Sequence, residues 1–255
     1  MVIIINIKSP YEIELIEKAC KIVSDTHKHL EQFIRPGITT KELDEIAEKF
    51  IRAAGAIPSF KNYQGFPASI CTSINEEVVH GIPSSRKLKK GDIISIDIGA
   101  CYKGYHGDSA WTYAVGKISP EKERLLKHTE KALYEGLKVI KSGVRIGDIG
   151  HAISSYVKKF NYGVVRELVG HGIGKDLHEL PDVPNYGKPG TGPLLKEGMV
   201  IAVEPMINLR THEIYIKEDG WTIVSKDNSP SAHFEHTVLV TKEGVKILTK
   251  RWCDG

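Results

Sequence analysis

The chain has 255 residues, of which 41% are hydrophobic and 26% are charged, and its formal net charge is +3. This composition is typical of a globular protein and excludes intrinsic disorder, which combines low hydrophobicity with high net charge. The weak positive charge gives no strong indication of nucleic-acid binding. An apolar run at residues 2–7 is too short to span a bilayer and lacks the features of a signal peptide, so we expect a cytoplasmic protein without membrane contact.

The first 55 residues predict two amphipathic helices. Ser9, Pro10 and Glu12 form a typical helix start, with a capping serine, a proline at the first helical position and a glutamate that completes a capping box. Apolar residues recur on one face until the Arg-Pro-Gly sequence at 35–37 ends the helix. A second helix follows and is predicted to end near Gly55.

A hairpin is predicted next, with strands over 93–101 and 105–115 and a turn over 102–104. A turn centred between residues 102 and 103 places Asp97 directly opposite Asp108. Directly opposed like charges are destabilising, so either one carboxyl group is protonated or a cation lies between them.

The second half of the sequence then repeats the helix and strand pattern of the first. A Ser-Pro pair at 119–120 starts another helix, and the next helix matches residues 38–50 at an offset of 106. Residues 88–97 (LKKGDIISID) match 195–204 (LKEGMVIAVE), which places Glu204 at the position of Asp97. We infer a duplication into two halves, 9–116 and 119–250, within one domain (1–255). This pattern predicts an α+β fold with a largely antiparallel sheet and a cleft between the halves.

Further candidate ligands follow in the second half. Glu204 and Glu235 both lie in apolar strand sequences, and His171 lies in the glycine-rich sequence GHGIG at 170–174. Carboxylates that converge in a cleft would need divalent cations. A carboxylate-rich set with one histidine suits Mn²⁺, Fe²⁺ or Co²⁺, with Zn²⁺ as an alternative. Phosphate-loop, serine-nucleophile and HExxH motifs are absent from the sequence.

Four segments together resemble the type I methionine aminopeptidases, of the prokaryotic kind without an N-terminal extension. They are residues 73–83 (SINEEVVHGIP), 170–174 (GHGIG), 204–206 (EPM) and 234–237 (FEHT). The resemblance covers nearly the whole chain. It implies the duplicated "pita-bread" fold, with a curved antiparallel sheet, outer helices and a dinuclear metal centre between the halves.

The resemblance also implies roles for individual residues. Two divalent ions (Co, Mn, Fe or Zn) would be held by Asp97, Asp108, His171, Glu204 and Glu235, with Asp108 and Glu235 bridging both ions. His80 and His178 would contact the scissile peptide unit, and Glu204 would also relay the proton of the attacking water. The implied pocket for the methionine side chain consists of Phe60, Tyr63, Phe66, Cys71, Leu177 and Trp221.

The implied activity is removal of the N-terminal methionine from nascent proteins whose second residue is small, with a metal-bound hydroxide as the nucleophile. The expected partners are such peptides and, transiently, the ribosome, and we expect a monomer. Two alternatives remain open at this stage. One is an Xaa-Pro peptidase of the same fold, and the other is a non-catalytic protein on this fold that binds a peptide or RNA.

Overall fold

The computed structural model describes residues 5–251, so the first residues of the apolar run, 2–4, lie outside the described part. The described part contains four α-helices: α1 (Pro10–Glu31), α2 (Thr40–Ala53), α3 (Pro120–Lys138) and α4 (Ile146–Val157). Among the described helices, none is long and apolar enough to cross a membrane. Each helix of the predicted pairs is found, in the predicted order.

Helix α1 begins as the sequence predicts. The Ser9 hydroxyl accepts from the Glu12 backbone N–H, and the Glu12 carboxylate accepts from the Ser9 N–H at 2.8 Å. The capping box therefore satisfies backbone donors that a helix start leaves unpaired. Thr39 and Glu42 form the same box at the start of α2.

Fifteen strands occur in the described residues. In the first half they are β1 (Ile57–Pro58), β2 (Ile70–Ile74), β3 (Glu77–Val79), β4 (Ile93–Tyr102) and β5 (Tyr105–Ala114). In the second half they are β6 (Gly163–Val164), β7 (Gly170–Gly172), β8 (Glu179–Val183), β9 (Val200–Val203), β10 (Met206–Asn208), β11 (Ile214–Ile216), β12 (Ile223–Ser225), β13 (Ser231–His233), β14 (His236–Val240) and β15 (Val245–Ile247).

All strand pairings between residues 5 and 251 are antiparallel, which confirms the predicted sheet type. In the first half β4 pairs with β5 along its length, and also with β2 and β1. In the second half a five-stranded sheet has the order β15-β14-β9-β7-β8. One large apolar core contains buried residues of all four helices and of both sheets, so the helices cover the sheets and the halves pack as one body.

Equivalent hydrogen bonds recur in the two halves. The Gly37 N–H donates to the Leu88 carbonyl at 2.8 Å, and the Gly143 N–H donates to the Leu195 carbonyl at 2.9 Å. These pairs are related by the offsets of 106 and 107 found in the sequence. The inferred duplication therefore agrees with a repeated pattern of backbone contacts.

Candidate metal centre

The hairpin of β4 and β5 carries two of the predicted ligands. Tyr102 pairs with Tyr105, so the turn consists of Lys103 and Gly104 alone, with φ values of 50° and 83°. Two consecutive positive φ angles define the two-residue turn that matches the twist of antiparallel strands. The turn is therefore centred one residue later than the sequence analysis placed it.

This turn changes the register. Asp97 pairs with Ala110 and Asp108 pairs with Gly99, so the prediction that the two aspartates lie directly opposite is wrong. The error arose because Tyr102 was assigned to the turn, although it belongs to the strand. The shift is two residues, which preserves the face of the sheet, so the aspartates are diagonal neighbours. The two carboxyl groups remain close, because burial and then the charge of Asp97 raise the pKa of Asp108.

The second half supplies two further carboxylates from adjacent strands. Glu204 directly follows β9, and Glu235 lies between β13 and β14. Val203 pairs with His236 at the end of the β9–β14 ladder, so the next step of the ladder brings Glu204 opposite Glu235. This arrangement is the counterpart of Asp97 and Ala110 in the first half.

Hydrogen bonds between the halves bring the two carboxylate pairs together. The Glu235 N–H donates to the Ala110 carbonyl at 2.8 Å, and the Thr237 hydroxyl donates to the Asp108 carbonyl at 2.7 Å. The Ser109 hydroxyl donates to the Glu235 carbonyl at 2.7 Å. Strand β5 and the segment around Glu235 are therefore held side by side.

His171 completes the cluster from strand β7. Its Nδ1 atom lies 2.9 Å from the Gly172 carbonyl oxygen, and a carbonyl can only accept, so Nδ1 carries the proton. The Nε2 lone pair is left facing the carboxylates, which is the usual state of a histidine that ligates a metal. Ligand atoms of Asp108, His171 and Glu235 all lie within 4.8 Å of one another.

The buried carboxylates have strongly perturbed acidity. Burial raises the pKa of Asp97 to about 6 and the pKa of Glu204 to about 8. Burial, and then the neighbouring carboxylates, raise the pKa values of Asp108 and Glu235 well above their ordinary range. Each of these shifts means that the charged form lacks compensation from the protein alone.

Unpaired oxygen atoms show that a cation fits this cluster. Oδ1 of Asp97, Oδ1 of Asp108 and Oε1 of Glu235 are buried without a hydrogen-bond partner in the protein. Buried acceptors without partners are costly, and divalent cations bind carboxylate oxygens of this kind. Four carboxylates and one imidazole are therefore a suitable donor set for divalent metal.

Two further histidines lie beside the cluster. The His178 ring is 4.3 Å from the His171 ring, centroid to centroid, and its Nδ1 atom lies 2.8 Å from the Tyr63 hydroxyl oxygen. His80 has a left-handed backbone conformation with φ of 58°, which is uncommon for a residue other than glycine and clusters at functional sites. Burial lowers the pKa of His80 to about 4, so its ring is neutral near pH 7.

An apolar wall faces the carboxylates across a cavity of about 130 Å³, smaller than the roughly 300–1,000 Å³ of most ligand pockets. Phe66 and Trp221 pack edge to face in this wall, with ring centroids 5.2 Å apart. The structure places every predicted site residue on this one cavity: Phe60, Tyr63, Phe66, Cys71, His80, Asp97, Asp108, His171, Leu177, His178, Glu204, Trp221 and Glu235. A cavity of this size suits a single side chain.

Sequence reasoning missed three residues of the site. Gln64 and Val79 also line the cavity, and nothing in their sequence context distinguishes them from ordinary loop and strand residues. His233 is buried with its Nε2 atom 3.6 Å from Oε2 of Glu204. The signal that would have found His233 is its position two residues before Glu235.

Comparison with known proteins places these features in a family. Residues 14–242 match the family model described as metallopeptidase family M24. Methionine aminopeptidase 1 of Bacillus subtilis is 56% identical over 243 residues, covering 95% of this chain and 98% of that protein. A methionine aminopeptidase of Clostridium acetobutylicum is 53% identical, covering 96% of this chain and 98% of that protein.

Solved structures agree with this assignment of the fold. The methionine aminopeptidase structure from Rickettsia prowazekii has a TM-score of 0.95 and 43% identity, covering 97% of this chain and 100% of that one. The prolidase from Pyrococcus furiosus has a TM-score of 0.74 and 28% identity, and the match covers 96% of this chain but 65% of the prolidase.

Proposed function

This chain belongs to metallopeptidase family M24, and we propose that it is a methionine aminopeptidase that removes the N-terminal methionine from peptides. The observation that carries the proposal is one small cavity with an apolar aromatic wall on one side and a buried carboxylate cluster on the other. The apolar wall would accept the methionine side chain, while the carboxylate cluster lies beside the bond to be cut.

We further propose that the cluster holds two divalent ions. Asp97, Asp108, His171, Glu204 and Glu235 would be the ligands, because all five line one cavity and three of the carboxylates carry buried oxygens without a partner. When bound, the ions would lower the pKa of a water molecule and polarise the scissile carbonyl.

The remaining chemistry falls to the side chains. Glu204 lies within the cluster and would accept the proton of the attacking water. The Tyr63 hydroxyl can donate to Nδ1 of His178, which leaves Nε2–H of His178 to donate to the scissile carbonyl oxygen as charge develops there. His80, on the same cavity, would contact the amide side of the bond.

The expected substrates are nascent proteins with a small second residue, because the cavity has room for little more than one side chain. We propose that the protein acts as a monomer in the cytoplasm and meets its substrates near the ribosome. The free thiols of Cys20, Cys71 and Cys101 are in keeping with a reducing compartment.

An Xaa-Pro peptidase is the alternative activity on this fold. The prolidase match is weaker, with 28% identity against 43–44% for two methionine aminopeptidase structures, and covers only 65% of the prolidase chain. A protein that only binds peptides or RNA would have no use for buried, unpaired carboxylate oxygens, which are costly without a cation.

Hydrolysis of three peptides tests the proposal. The metal-free protein is supplied with Mn²⁺ or Co²⁺ and incubated with Met-Ala-Ser, Met-Leu-Ser and Ala-Pro-Ser. We expect metal-dependent release of methionine from Met-Ala-Ser, little release from Met-Leu-Ser, and no cleavage of Ala-Pro-Ser. Acetyl-Met-Ala-Ser is the control for a free amine and should remain intact. Preferential cleavage of Ala-Pro-Ser, or turnover without metal, would contradict the proposal.

A further inference from the structure

His233 is a buried histidine whose ring nitrogens are unpaired. Its exposed fraction is 1%, and neither Nδ1 nor Nε2 has a hydrogen-bond partner among the described residues. His27 and His236 are buried as deeply, yet both ring nitrogens of each have a partner. A buried polar group without a partner is rare and unfavourable, so the ring of His233 needs an explanation.

The backbone of His233 is held rigidly. Its N–H donates to the Thr112 hydroxyl oxygen at 2.9 Å, and its carbonyl lies 2.8 Å from the same hydroxyl, which donates to it. His233 also pairs with Met206 in the β10–β13 ladder. These contacts fix the direction from which the imidazole approaches the site.

The imidazole of His233 is aimed at one oxygen of Glu204. Nε2 of His233 lies 3.6 Å from Oε2 of Glu204, while Nε2 of His171 lies 3.5 Å from the other oxygen, Oε1. The Glu204 backbone carbonyl accepts from the Asn185 side chain at 3.0 Å. Glu204 is therefore held at its backbone, and each carboxylate oxygen faces a different imidazole.

The internal repeat gives His233 a counterpart. Gly91 donates to the Val115 carbonyl in the first half, and Gly198 donates to the Val240 carbonyl in the second, so strand β5 matches the β13–β14 region at an offset of 125. By that offset His233 occupies the position of Asp108. In the first half Asp108 lies diagonally beside Asp97. In the second half His233 holds the equivalent position beside Glu204.

We propose that His233 is a positioning residue for the metal centre: its imidazole donates Nε2–H to Oε2 of Glu204, which leaves Oε1 free to bind metal beside His171. A shift of about 0.6 Å would shorten the present distance to that of a hydrogen bond. Donors of this kind orient ligating carboxylates, and their loss weakens metal affinity by roughly 10–100-fold. The inference rests on the proposed function, because it presumes that Glu204 binds metal.

Calorimetric titration with Mn²⁺ tests this role on the full chain after removal of metal by chelation. His233→Leu keeps a similar volume but has no donor, and His233→Gln keeps an N–H donor. We expect His233→Leu to weaken metal affinity by roughly 10–100-fold with unchanged stoichiometry, and His233→Gln to stay within about 3-fold of the parent chain. The visible absorption of bound Co²⁺ should change in His233→Leu and return towards the parent spectrum in His233→Gln.

The stability of the metal-free variants separates positioning from a structural role. Because the ring nitrogens are unpaired, metal-free His233→Leu should resist urea at least as well as the parent chain. A clear loss of stability in the metal-free state, unchanged metal affinity in His233→Leu, or no recovery in His233→Gln would each overturn the inference. Loss of one bound ion in both variants would also overturn it, by making His233 a ligand. If the parent chain itself bound no Mn²⁺, the proposed function would fail instead.

Discussion

Asp108 is deeply buried and lies close to other carboxylates. Burial, and then the charges of Asp97 and Glu204, raise its pKa, and its Oδ1 atom has no hydrogen-bond partner. The ionised Asp108 carboxyl group therefore destabilises the metal-free folded protein. This is expected of a residue whose role is to bind a cation.

Asp108→Asn should separate metal binding from folding. The amide keeps the volume and can donate to Asp97, so we expect the metal-free variant to be as stable as the parent or more stable by about 1 kcal/mol. Metal content and peptidase activity should both fall sharply. Urea unfolding of chelated protein and metal analysis are the measurements. Asp44→Ala, which deprives the Ser69 and Ile70 backbone N–H groups of their acceptor, should be clearly destabilised and serves as the control.

Three histidines on the cavity should respond differently to alanine. His80→Ala and His178→Ala should keep metal stoichiometry but lower kcat by roughly 100-fold or more, the scale of a lost proton-transfer or oxyanion contact. His171→Ala should lose metal, because its Nε2 faces the carboxylates. Metal content measured beside kcat distinguishes these outcomes. If His178→Ala lost metal while His171→Ala kept it, the two assignments would have to be exchanged.

Tyr63→Phe tests whether the Tyr63 hydroxyl orients His178. The phenyl ring would still line the apolar wall, but Nδ1 of His178 would lose its partner at 2.8 Å. We expect kcat to fall about 5–10-fold, the equivalent of one hydrogen bond, with KM and metal content nearly unchanged. A rise in KM alone would show that Tyr63 acts only in binding the methionine side chain.

The turn of the β4–β5 hairpin sets the relative positions of Asp97 and Asp108, two of the candidate metal ligands. Its turn contains only Lys103 and Gly104, both in the left-handed region, and a Cβ on Gly104 would meet no atom within 4 Å. The cost of a side chain at Gly104 is therefore conformational rather than steric. A two-residue turn of this geometry favours Asn followed by Gly.

Matched substitutions in this turn should change stability in opposite directions. Lys103→Asn should stabilise the protein by a few tenths of a kcal/mol, since asparagine adopts positive φ more readily than lysine. Gly104→Ala should destabilise it by about 1 kcal/mol. Chemical unfolding of metal-free protein measures both. Equal effects of the two substitutions would show that the turn does not have this backbone.

At the scale of the whole molecule, two similar halves build one site that neither half contains. Asp97 and Asp108 come from the first half, and His171, Glu204 and Glu235 come from the second. The junction consists of specific bonds, such as the Glu235 N–H to the Ala110 carbonyl. Bringing these carboxylates together opposes folding whenever they are ionised and no metal is bound. Metal binding and pH should therefore both change the free energy of unfolding of the whole protein.

The free energy of unfolding of the metal-free protein should fall as pH rises from about 7.5 to 9. Burial raises the pKa of Glu204 to about 8, and the pKa values of Asp108 and Glu235 lie well above normal, so the folded state holds protons that the unfolded state releases. Burial lowers the pKa of His171 to about 3, so this histidine, like others buried in the fold, adds a slope of the opposite sign near pH 6.5 that fades by about pH 7.5 as the unfolded imidazole loses its proton. The expected slope is up to about 1.4 kcal/mol per pH unit for each proton.

Urea unfolding at several pH values, with chelator and with saturating Mn²⁺, checks this behaviour. The metal-loaded protein should show a much flatter profile, because bound cations keep the carboxylates ionised in the folded state. Glu204→Gln in the metal-free form should reduce the slope. A metal-free stability that rises over this pH range would contradict the burial of ionisable carboxyl groups.

Much of the local structure could be predicted from the sequence alone, because helix caps and helical periodicity act over a few positions. Ser9 with Glu12 predicted the start of α1, and the repeat of 88–97 at 195–204 predicted Glu204 from Asp97. The resemblance to a known family nominated the site residues, and they lie on one cavity. The register of Asp97 and Asp108 could be read only from the folded hairpin, since a shift of one residue in the turn centre moves the pairing by two. Only the tertiary structure revealed His233, because an unpaired ring nitrogen aimed at Glu204 arises from contacts between strands that are distant in the chain.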